Sequence, residues 1–98
     1  MSTILLVDDD KRVIHQVTEL LQQPHYTTRF LLEPAYLFQF LETVPVDLLL
    51  LDIHMPEVDG LDVLRQLKTH ESFANLPVIM LTADENEKQE MDTDAGLL

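Results

Sequence analysis

An α/β fold is what this sequence predicts, a parallel sheet with helices on both faces. Three observations carry that prediction. Short apolar runs, among them ILLV at 4–7 and LLLL at 48–51, have the continuous hydrophobicity of strands buried on both sides. Between such runs, apolar residues recur with the helical period. The two kinds of segment alternate along the whole chain with no internal repeat or low-complexity tract, which is the order that strand–helix–strand crossovers require.

Thr3 to Val7 is the first expected strand, closed by three aspartates. From Lys11 to Gln22, Val13, Ile14, Val17, Leu20 and Leu21 form one helical stripe, with Asp9 or Asp10 available as the cap and Pro24 just past the end. Tyr26 to Leu31 reads as the second strand. Pro34 suits the first turn of a helix that turns Leu37, Phe38 and Leu41 inward. Val46 to Leu51 is the third strand. A turn from Pro56 to Gly60 then leads into a helix marked by Leu61, Val63, Leu64 and Leu67, reaching about to His70. Val78 to Leu81, opened by Pro77, is the fourth strand. A helix from about Glu85 to Asp92 has little support beyond Met91.

The 98 residues suffice for one domain with one core. Eighteen acidic against 6 basic side chains give a formal charge of −12, which argues against nucleic acid and anionic membrane surfaces as direct partners. Six carboxylates fall between Asp84 and Asp94 against Lys88 alone, the pattern of a solvated helix face or tail. There are no cysteines, so disulfides and thiolate metal sites are excluded. The N-terminal apolar run is too short for a signal peptide or membrane span. These features lead us to expect a soluble cytoplasmic protein.

In open parallel sheets ligands bind beyond the carboxyl ends of the strands, beside the point where strand order reverses. Asp8 and Asp9 end the first strand, Asp52 the third and Thr82 the fourth. If the first strand lies between the second and third, these side chains share one crevice. Three carboxylates that close repel one another and raise at least one pKa, a cost that a divalent cation removes. Hard oxygen ligands without Cys point to Mg²⁺ or a similar ion. A carboxylate beside such an ion can accept a phosphoryl group, which makes Asp52 the central candidate. Asp8 and Asp9 would hold the metal, and the Thr82 hydroxyl with the amide of Ala83 could donate to a phosphoryl oxygen.

The blocks "ILLVDDD", "LLLLDIHMPEVDG" and "LPVIMLTA" resemble the three signature blocks of response-regulator receiver domains, over nearly the whole chain. The resemblance implies a flavodoxin-like doubly wound sheet, here with strand order 2-1-3-4, since the family's order is 2-1-3-4-5. It implies that Asp52 is the phosphoacceptor, Asp8 and Asp9 the acidic metal pair and Thr82 the switch hydroxyl, and that His54 lends a backbone carbonyl to Mg²⁺. The implied donor is a phosphohistidine on a histidine kinase or phosphotransfer protein, and the implied role is signalling rather than enzymatic turnover.

Receivers continue into a fifth strand bearing a Lys-Pro pair, then a fifth helix; Lys11, Lys68 and Lys88 match that lysine in neither spacing nor context. The expectation for residues 1–98 is therefore a receiver domain incomplete at its C-terminus, which either forms a homo-oligomer through its apolar fourth-strand edge or is only marginally stable. The alternative function is a receiver-like interaction module that does not switch. A metal-dependent phosphohydrolase is a further rival, although it generally wants a second acid where His54 stands. Simpler roles compete residue by residue: Asp8 and Asp9 as helix caps, His54 and Asp84 as loop surface, Asp59 and Gly60 as turn and cap, Met55 and Pro56 as loop formers. His15, His25 and His70 are expected on polar faces or loops without a chemical role.

Overall fold

The computed structural model of the chain describes residues 2–55 and 58–81. β1 (Ser2–Val7), α1 (Lys11–Leu20), β2 (Tyr26–Leu31), α2 (Leu37–Thr43), β3 (Leu48–Asp52), the two-residue strands β4 (His54–Met55) and β5 (Val58–Asp59), α3 (Gly60–Thr69) and β6 (Val78–Leu81) follow in that order. Four of these strands form one parallel sheet in the order β2-β1-β3-β6. This is the expected 2-1-3-4 order.

Apolar runs become the inner strands because both their faces are covered. Leu5, Leu6, Val7, Leu49 and Leu51 are wholly buried. The more polar YTTRFL becomes edge strand β2, with Tyr26 and Phe30 exposed. Side chains alternate along β1 and β3. Leu5, Val7, Leu49 and Leu51 join the core beneath α2 and α3, while Ile4, Leu6 and Leu50 pack with Ile14 of α1.

Where the elements depart from expectation, local bonding supplies the reason. α1 stops at Leu20, and Gln22 N–H closes a tighter turn onto Glu19 C=O (3.3 Å). Leu20 is 79% exposed, because Ile14, Val17 and Leu21 already fill the face toward the sheet. Pro34 opens a single 3₁₀ turn, Pro34–Tyr36, and the α-helix begins only at Leu37. β3 starts at Leu48 rather than Val46. Asp47 grips Thr3 at both ends of its residue: its N–H donates to Thr3 C=O (2.9 Å) and its Oδ2 accepts from Thr3 N–H (2.7 Å). That carboxylate takes a backbone donor that a longer strand would have used.

The segment after β3 is not a plain turn. β4 and β5 pair antiparallel, His54 with Asp59 and Met55 with Val58, and Met55 is buried. His70 falls just past α3, in the kind of loop position expected, but its ring packs in a three-membered cluster with Phe38 and Phe73, with centroids 5.9 and 4.4 Å away, and its Nδ1 accepts from Ser72 N–H (3.0 Å). The expected helix over 85–92 lies outside the described residues. Among the described residues, no helix is long and apolar enough to cross a membrane.

Candidate functional site

The sheet's register builds the site. β1 and β3 run in step from Ile4 opposite Leu48 to Val7 opposite Leu51. One step further brings Asp8 opposite Asp52. Asp8 N–H still donates to Leu31 C=O of β2 (3.1 Å), which keeps Asp8 on the ladder while its carboxyl reaches the sheet's end. Asp9, the next residue, joins them: Asp8, Asp9 and Asp52 each offer a carboxylate oxygen within 4.8 Å of the others. The crevice foreseen from strand order is present, and it gathers these three acids.

The three are not equivalent. Asp8 is only 3% exposed, Asp52 is half-buried and Asp9 is exposed. Burial pushes the Asp8 carboxyl up to about 6 from 3.8, against the pull of the Asp10 N–H that donates to its Oδ1 (2.9 Å); the nearby Asp52 charge raises it further. Burial likewise raises Asp52, opposed first by the His54 N–H on its Oδ1 (3.1 Å). Sequence alone suggested mutual repulsion as the cause. The structure puts loss of hydration ahead of it.

Supporting residues fix these acids in place. Asp10 is the cap of α1: its Oδ1 accepts from Arg12 N–H (2.9 Å) and its Oδ2 pairs with the Arg12 guanidinium (3.1 Å), which holds its own carboxyl below the usual range. Capping therefore falls to Asp10 and leaves Asp8 and Asp9 free for the cluster. Asp59 caps α3 through Leu61 N–H (3.0 Å), as expected. Gly60 is more than a turn residue. It is buried in the first turn of α3, and its N–H donates to Ile53 C=O (3.1 Å), directly behind Asp52. The Asp-Gly pair in the sequence marked a turn there, but this contact depends on where α3 meets β3.

Thr82 and Ala83 lie outside the described residues. The Asp8–Asp9–Asp52 set fits a hard divalent cation, being all-oxygen, anionic and partly open to solvent.

A flavodoxin-like sheet with an acidic cluster at its strand tips defines the class of domain. Residues 4–95 match the family described as "Response regulator receiver domain", and the chain belongs to that family. It is 40% identical over 98 residues to the transcriptional regulatory protein CpxR of Klebsiella pneumoniae, covering 99% of this chain and 39% of that protein. It is 35% identical over 83 residues to the heme response regulator HssR of Staphylococcus saprophyticus, covering 85% of this chain and 36% of the relative. The chain thus spans well under half the length of these relatives. Among solved structures, the N-terminal domain of a response regulator receiver protein from Methanoculleus marisnigri superposes with a TM-score of 0.82 at 31% identity, covering 95% of this chain and 78% of that one.

Proposed function

We propose that this domain accepts a phosphoryl group on Asp52 from the phosphohistidine of a histidine kinase or phosphotransfer protein, in the cytoplasm, with Mg²⁺ at the acidic cluster. The observation that carries this reading is the register that sets Asp8 opposite Asp52 with Asp9 within 4.8 Å. Asp8, Asp9, Asp52 and the His54 carbonyl would hold the ion. When bound, Mg²⁺ supplies positive charge that offsets the cluster and the incoming phosphoryl oxygens.

The chain's own residues do the rest. His54 N–H holds Asp52 Oδ1 at 3.1 Å and fixes the carboxylate, leaving the other oxygen's lone pairs for attack on phosphorus. The new O–P bond forms as the donor's N–P bond breaks, and the imidazole leaves with that electron pair. The Thr82 hydroxyl and Ala83 amide are the proposed donors to the phosphoryl oxygens.

Incubation with acetyl phosphate and Mg²⁺, followed by intact-mass measurement, tests the reading. An adduct of about 80 Da, the mass of a phosphoryl group, is expected on the parent and not on Asp52→Asn. A parent that stays unmodified would favour the reading of the domain as a non-switching interaction module.

A further inference from the structure

We propose that Gly60 is a positioning residue for Asp52: lacking a side chain, it lets the first turn of α3 seat on the Asp52–Ile53 peptide, and that seat sets where the carboxylate lies against Asp8 and Asp9. The inference rests on the proposed role of the acidic cluster and adds a residue that has no functional group of its own.

The space at Gly60 is fully taken by backbone. A Cβ there would fall 2.6 Å from Asp52 O, 2.6 Å from Ile53 Cα and 3.1 Å from Ile53 O. All three are main-chain atoms of the residue that bears the carboxylate and of its neighbour, so no flexible side-chain end can swing away. Either α3 or the strand tip must move.

The connections around this contact decide which motion reaches the site. Gly60 N–H donates to Ile53 C=O (3.1 Å), and the β4–β5 hairpin joins the two residues. A short loop therefore closes on itself directly behind Asp52. α3 is anchored on the far side of Gly60 by Leu61, Leu64 and Leu67 in the main core. The strand side is anchored by Leu51 and again by Ile53 in the same core, and Asp52 between them is half-buried. An added methyl thus has core-anchored residues on both sides and abuts the Asp52–Ile53 peptide itself, so making room for it displaces the peptide that carries the half-buried Asp52. Displacement of the Asp52–Ile53 peptide changes the hydrogen bond from His54 N–H to Asp52 Oδ1 and the spacing of Asp52 from Asp8 and Asp9.

The experiment compares Gly60→Ala with Leu64→Ala, a lesion in the same helix whose side chain packs in the core. Two readouts are taken on each folded protein: the amide resonance of His54 without metal, and the Mg²⁺ dissociation constant by calorimetric titration. Gly60→Ala is expected to shift the His54 amide and weaken Mg²⁺ binding at least tenfold. Leu64→Ala should lower stability yet stay within about twofold of the parent in Mg²⁺ affinity, because a core cavity relaxes locally. If Gly60→Ala does not fold in plain buffer, both measurements are made with a stabilising osmolyte at which its far-ultraviolet circular dichroism matches the parent. Parent-like affinity and an unmoved His54 amide in Gly60→Ala overturn the proposal, as does failure of that variant to fold even with osmolyte, which would make Gly60 a requirement of the fold at large. A parent that binds no Mg²⁺ defeats the underlying functional reading instead; the His54 amide, read without metal, still tests the positioning.

Discussion

The sheet's two faces do different work. One face lies under α2 and α3 and holds the larger core, with Leu5, Leu49, Leu51, Leu64 and Leu67 essentially sealed from solvent. The other packs on α1, the one helix on that side among the described residues, and there Leu48, Ile79 and Leu81 are only partly buried. The alternation of β1 and β3 sends Asp8 and Asp52 toward the second, less sealed side. The better-sealed packing is thus on one face while the acidic cluster sits at the tip of the other, and α3 links the two through Gly60.

The sharpest way to break this contrast is a pair of core truncations at neighbouring depths of the sheet. Leu49→Ala, on the α2/α3 face, is expected to cost about 3 kcal/mol, and Ile79→Ala, on the α1 face, about 1 kcal/mol. Urea unfolding reads both. Equal costs would mean that the faces are equally packed.

Next in size is a pH effect confined to the acidic tip. Asp8 is raised from 3.8 to about 6 in the folded protein, so the fold holds that proton more tightly than the unfolded chain does. Stability from this group is full below about pH 4 and falls as pH rises through about 6, and Asp52, raised in the same direction, adds to the slope. With partial screening through the open end of the crevice, the loss without metal is about 2 kcal/mol. Urea midpoints at pH 4.5 and 7 in a chelator should show it, and Asp8→Asn should flatten the slope. Magnesium is expected to restore stability most strongly at pH 7, where no proton competes for the carboxylate. A pH profile shared by the parent and Asp8→Asn would count against the buried acid as its source.

The smallest expected effect separates the two caps. Asp59→Ala removes the acceptor for Leu61 N–H and should cost about 1 kcal/mol in thermal or urea unfolding. Because α3 seats on the Asp52–Ile53 peptide, the same variant should also move the His54 amide resonance. Asp10→Ala, the equivalent loss at α1, should leave that resonance in place.

Much of this arrangement is legible before any coordinates. The leucine runs announce buried strands, the alternation of segments fixes a parallel sheet, and acids at strand ends locate the crevice. What escapes is set by distances between elements. Two-residue strands such as His54–Met55 carry no periodicity to detect. The inequality of Asp8 and Asp9 arises because one residue stays on the ladder and the next leaves it. Gly60 looks like any turn glycine until α3 is placed against β3. His70 sits at the end of α3 as the sequence allows, but its packing with Phe38 and Phe73 depends on how α2 and the segment after α3 meet.

Asp47 holds Thr3 from two directions at the foot of the sheet, several rungs below the acids. In a ladder of period two, a slip of one residue would turn every inward leucine outward and send the aspartates to opposite sides. An exposed carboxylate far from the chemistry thus acts as the key that times the two strands, and the charges at the summit meet because the base is locked.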